Sequence, residues 1–183
     1  MSRATPSATR WISLLACLGG TLFLLPAGAQ AQRSPGCTDA ESRQMDFWIG
    51  NWEVSDADGN VVGHSKVSPI MERCALREEW DGGMVKGMGI NGYDKPDHMW
   101  RQMWVDNFGT VLRMQGAWDG SSMKLHGSRV GSDGKTRELR VTLTPKADGT
   151  LEQLQERSED GGKTWGVIFD GFYRPYEPMG RTP

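Results

Sequence analysis

Along residues 51–173 apolar and polar positions alternate in short runs, and nearly every run stops at a turn built on Asp-Gly or a nearby glycine. A period of two places successive side chains on opposite faces, which is the signature of a half-buried strand. The runs fall at 51–56, 61–70, 74–80, 84–91, 99–106, 110–117, 122–130, 136–144, 150–158 and 164–173. Between them stand Asp58-Gly59, Asp81-Gly82-Gly83, Asn107-Phe108-Gly109, Asp119-Gly120, Asp133-Gly134, Asp148-Gly149 and Asp160-Gly161-Gly162. Such dipeptides supply the positive φ that tight hairpins need. The pattern predicts an all-β fold, an antiparallel up-and-down barrel of about ten strands, since closure removes exposed sheet edges. No sustained helical period occurs after residue 45. A short helical turn opened by Thr38 or Asp39 is expected before it, ending ahead of Phe47.

The ends of the chain read differently. Arg3 and Arg10 precede an apolar run over 11–25, followed by small residues up to Ala29-Gln30-Ala31. That order predicts a secretory signal peptide over 1–31, cut before Gln32; a cut after Ala27-Gly28-Ala29 is the alternative. The run is too short and broken for a membrane span. The remaining chain divides into an N-terminal segment (32–44), the barrel (45–175) and a flexible tail (176–183), exported to the periplasm or secreted. The net charge of −2 becomes more negative once Arg3 and Arg10 are removed. A mildly acidic chain with mixed charges gives no electrostatic case for nucleic acid or anionic membrane. Cleavage also leaves two cysteines, Cys37 and Cys74. They are either a disulfide or two buried thiols, and export favours the disulfide.

The stretch Asp46-Phe47-Trp48-Ile49-Gly50-Asn51-Trp52-Glu53-Val54 carries a resemblance. Gly50-Asn51-Trp52 resembles the Gly-x-Trp start of lipocalins and the wider calycin group. Together with Cys74-Ala75-Leu76, Trp104-Val105-Asp106-Asn107 and the segment Ser158 to Trp165, it resembles a family of secreted bacterial lipocalin-like proteins of unknown function. The resemblance covers 37–174 and implies a fold and a compartment, with no activity attached. It also implies that Trp52 packs under the barrel and that Arg174 lies across it, a cation over an indole. Ser158-x-Asp160-x-Gly162-x-x-Trp165 is similar to the Asp-box turn of sialidase propellers; occurring once, it is read as structural. A related barrel family holds haem through a late histidine, and this chain has none after His126, so no cofactor is expected.

Chemistry-bearing residues are sparse. His64, His98 and His126 fall in separate segments without metal-ligand spacing, so no metal is expected. Glu78 and Glu79 face opposite ways on one strand and cannot form a dyad. Leu76, Glu78 and Trp80 share a face; if it is the inner one, Glu78 needs a partner such as Gln102, Arg113 or a ligand. No serine-nucleophile or phosphate-loop pattern occurs, so no catalytic residue is assigned. The chain has eight Trp and ten Met. Trp100, Gln102 and Trp104 share one face of their strand. Met84, Met88, Met114 and Met123 lie in neighbouring strands. These residues either line a cavity for a small apolar or amphipathic ligand or fill the barrel themselves. The lining residues expected are Glu78, Trp80, Trp100, Gln102 and Trp104. A barrel enzyme using Glu78 or a histidine, and a solid envelope-interaction module, remain the alternatives.

Overall fold

The computed structural model describes residues 36–177; residues 1–35, which include the expected leader, and the last six residues lie outside them. Ten strands form one closed antiparallel barrel in which each strand pairs with its neighbours in sequence and the first closes on the last. They are β1 (Gly50–Ser55), β2 (Val61–Ile70), β3 (Ala75–Gly82), β4 (Val85–Asp94), β5 (Met99–Asp106), β6 (Val111–Trp118), β7 (Met123–Val130), β8 (Thr136–Pro145), β9 (Leu151–Ser158) and β10 (Gly166–Pro175). Closure runs through Trp52–Ser55 against Phe172–Pro175. Among the described residues no helix is long and apolar enough to cross a membrane.

The turns work through their aspartates. Asp56, Asp106, Asp119, Asp133 and Asp148 each accept a backbone N–H two residues on, at 2.9–3.1 Å. This satisfies donors that the tight turn would leave unpaired. The turn between Ser158 and Trp165 follows the same logic. Asp160 accepts the Lys163 and Thr164 amides, and Ser158, fully buried, accepts the Gly162 amide.

One end of the barrel is plugged by the N-terminal segment. Two one-turn 3₁₀ helices, Glu41–Arg43 and Asp46–Trp48, lead into β1. The first turn ends before Phe47, as expected from sequence; the second, which the sequence reading did not anticipate, carries Met45 at its start and Trp48 at its end, both fully buried under the barrel. Asp39 accepts from the Ser42 amide at 2.9 Å and opens the first turn. The plug is tied down all round. Cys37 is bonded to Cys74, Lys95 pairs with Asp39, and Arg73 meets Asp46 at 2.8 Å. The Trp100 indole donates to Gln44 Oε1 at 3.1 Å. Above the plug, Trp52, Val67, Leu76, Trp100, Met123, Leu143 and Leu151 form a packed floor.

Trp52 donates its indole N–H to the Trp48 carbonyl at 2.9 Å and meets Tyr173 edge-on at 6.3 Å. Arg174 does not lie over it. It is exposed within β10, opposite Glu53 on the outer face. A bulge between Val167 and Phe169 sets the parity of β10, so Phe169, Gly171 and Tyr173 point inward and Arg174 outward.

Candidate functional site

Burial along the inner face falls from floor to mouth. On β3 it runs from buried Leu76 and Glu78 to half-buried Trp80; on β9 from buried Leu151 and Gln153 to exposed Arg157. The upper half of the barrel is hollow, a cavity of about 980 Å³. Glu78, Trp80, Gln102 and Trp104 line it, together with Trp48, Met114, Gln153, Phe169 and Tyr173. Trp100 does not. It shares the face of Gln102 and Trp104 but lies one layer down, in the packed floor. Of the methionines singled out from sequence, Met114 and Met123 are buried inside, Met88 is exposed on the outer face of β4 and Met84 is exposed in the turn before it.

The hollow exists because glycines stand opposite the tryptophans. A Cβ on Gly87 would lie 2.2 Å from Trp104 Cζ2, and one on Gly63 or Gly82 would lie 2.7 Å from the Trp80 ring. Both indoles therefore lie flat on bare backbone instead of crossing the lumen. Trp80 is further held edge-on by Phe169 at 6.1 Å. On β4, Gly87 and Gly89 thus serve to make room.

A polar layer crosses the cavity above the floor. Gly89 separates Glu78 on β3 from Trp104 on β5. A Cβ there would sit 3.3 Å from Glu78 Oε2 and 3.5 Å from Trp104 Cε3, so carboxyl and indole converge over it. Glu78 faces inward, 4% exposed, and accepts from Ser65 Oγ at 3.1 Å; its partner is neither Gln102 nor Arg113, which is exposed on the outside. Tyr173 donates to Gln153 Oε1 at 2.5 Å. The Trp48 indole N–H is buried without a partner at the cavity's lower end.

Burial pushes the Glu78 carboxyl up to about 7, the Ser65 hydrogen bond pulling the other way. Burial, and then the charge of Glu78, raise the Tyr173 phenol. Because the folded value for Glu78 lies above the unfolded one, the sign is fixed. Below the unfolded pKa the group is protonated in both states and takes nothing from stability. As pH rises towards 7 the unfolded chain ionises more readily and stability falls. Glu78→Gln is expected to be about 2–3 kcal/mol more stable than wild type above pH 7 and nearly equal to it at pH 4, by urea unfolding. A constant difference across that range would refute the ionisation argument.

The mouth carries both charge and exposed apolar side chains. Arg129, Arg137 and Arg157 stand on one side, with Asp133 and Glu159 as partners of Arg137 and Glu159 of Arg157. Asp56 and Asp106 stand elsewhere on the rim. Val61, Met84, Val85, Phe108, Val111, Val130, Val167 and Ile168 are exposed on the turns and strand ends around the opening. His64, His98 and His126 are exposed, away from the lumen, and among the described residues no His, Cys, Asp or Glu cluster suits a metal ion.

Sequence reasoning missed Ser65, Gln153, Phe169, Tyr173 and the gap-making glycines. The available signal was small residues at alternate positions, Gly63 with Ser65 and Gly87 with Gly89, in strands otherwise rich in bulk. The chain matches no family model, and no curated protein matches it.

Proposed function

We propose that this barrel is an exported binding protein for a small, mostly apolar molecule with a polar group, held in the lumen. The observation that carries the reading is the hollow upper half, kept open by glycines under Trp80 and Trp104 and crossed by one polar layer. Such a site, apolar walls with few convergent polar groups, is the usual form of a small-molecule pocket. Glu78, Trp80, Gln102 and Trp104 are the contacts assigned to the ligand, and Trp100 supports them from below. The exposed apolar rim suits entry of such a molecule. Residues 1–31 are taken as a cleaved leader, and the Cys37–Cys74 disulfide supports an oxidising compartment. The closed barrel with Trp52 at its base supports a calycin-type relationship.

Native mass spectrometry of protein exported by its own leader is the direct test. Extra mass released on denaturation is expected. A bare mass, with no tryptophan fluorescence change across panels of lipids and isoprenoids, would refute the reading. One observation favours a second reading. A carboxyl titrating near 7 inside a cavity is suited to general acid or base catalysis. In that case Glu78→Gln would abolish turnover of a lumen-bound substrate while leaving its binding intact.

A further inference from the structure

Glu78 presents a carboxylate to the lumen with no cation beside it. The groups facing it are Ser65 from β2, the bare backbone of Gly89 from β4, Gln102 and Trp104 from β5, Gln153 from β9 and Tyr173 from β10. All are neutral at physiological pH. The arginines of the cavity stand at the mouth, where Arg137 and Arg157 already have carboxylate partners. Ser65 occupies Oε1, and Oε2 lies over Gly89 beside the Trp104 ring. Trp80, Phe169 and Tyr173 supply further aromatic surface in the same chamber. A buried carboxylate is costly without a counter-charge, and aromatic faces attract a cation that has left water.

We propose that the lumen is built for a cationic amine with an apolar body, its ammonium group between Glu78 Oε2 and the Trp104 face. This rests on the binding-protein reading and names its ligand class. The ammonium completes an ion pair that the protein leaves half-made. The unpartnered Trp48 N–H, at the lower end of the same cavity, offers one donor for an acceptor on the ligand body. An anionic head would meet Glu78 with repulsion inside the chamber and would be confined to the arginines at the mouth. A neutral alcohol would find hydrogen bonds but no charge.

Three probes of one chain length separate these cases: octylamine, octanol and octanoate, titrated calorimetrically into the oxidised mature protein at pH 8. Octylamine is expected to bind at least tenfold more tightly than octanol, with octanoate weakest. Its affinity is expected to fall below pH 7, as Glu78 takes up its proton, while octanol affinity stays level. In Glu78→Gln the amine is expected to bind no better than the alcohol does to the same variant; should that variant not fold, the wild-type pH series decides the same point. Equal affinities, a pH-independent amine preference, or a preference retained in Glu78→Gln would overturn the proposal. Tightest binding of octanoate would overturn it and move the polar head to the rim. In each of those cases the binding-protein reading stands; failure of all three probes to bind would also overturn the proposal, and the native mass spectrum of the exported protein then decides the binding-protein reading by itself.

Discussion

Gly87→Val is expected to abolish ligand uptake while leaving the barrel folded. The glycine lies on β4 with a negative φ, so valine fits its backbone and suits a strand. The obstacle is Trp104, whose Cζ2 would be 2.2 Å and Cη2 2.6 Å from the new Cβ. These atoms are the far end of a side chain, and the indole yields by swinging off the wall. The wall behind it is closed, so it swings into the lumen and fills the space that the proposed ligand would occupy. Overpacking of this kind costs about 1–3 kcal/mol, which an intact disulfide-bonded barrel tolerates. The control is Gly116→Ala, where the obstacle is backbone: the new Cβ would sit 1.8 Å from the Lys124 carbonyl oxygen. That change is expected to disrupt β6–β7 pairing and destabilise the whole domain. Circular dichroism and thermal melting distinguish the two variants, and native mass spectrometry reads occupancy. Wild-type occupancy in Gly87→Val would mean that the ligand does not use this chamber; unfolding would mean that Trp104 is fixed in place.

The contrast between these glycines shows what was legible in the chain and what was not. Strand number, order and turn positions follow from local chemistry, alternation between Asp-Gly turns, and all ten strands stand where that pattern predicts them within a few residues. The inward face of Leu76, Glu78 and Trp80 follows from parity once Leu76 must be buried. Whether the barrel is hollow does not follow from any single strand. Trp80 and Trp104 are as able to fill a lumen as to line one, and the outcome depends on what stands across the sheet. Gly63 and Gly87 decide it, and their opposition to the indoles is a matter of register between strands. Arg174 failed for the same reason: one bulge in β10 reverses the parity of everything after it. Trp100 shows the remaining gap, since alternation tells face but not depth.

Removing the disulfide is expected to have the largest effect on stability. Cys37 and Cys74 lie 37 residues apart, and closing such a loop stabilises the fold by about 4 kcal/mol in the chain-entropy model. The bond also borders an unfavourable backbone. Met71, Glu72 and Arg73, the link between β2 and β3, all have positive φ (51°, 54° and 69°). None is glycine, and each such residue costs roughly 1–2 kcal/mol. The turn persists because Cys74 is held to Cys37, Arg73 to Asp46, and the Arg73 carbonyl accepts from Arg43. Without the bond, the turn is free to relax and the plug carrying Met45 and Trp48 is joined covalently to the barrel only through the main chain into β1. The double variant Cys37→Ser/Cys74→Ser is expected to lose about 3–4 kcal/mol, a fall in Tm of roughly 10–15 °C. Hydrogen exchange should show the loss first at residues 37–49 and 70–75, with β5 to β9 still protected. A loss under about 1 kcal/mol would instead assign the floor to its non-covalent ties, Asp39 with Lys95 and Gln44 with Trp100. The same dependence makes the plug sensitive to the redox state of its surroundings, because the disulfide is the strongest of the ties that pin the floor under the chamber.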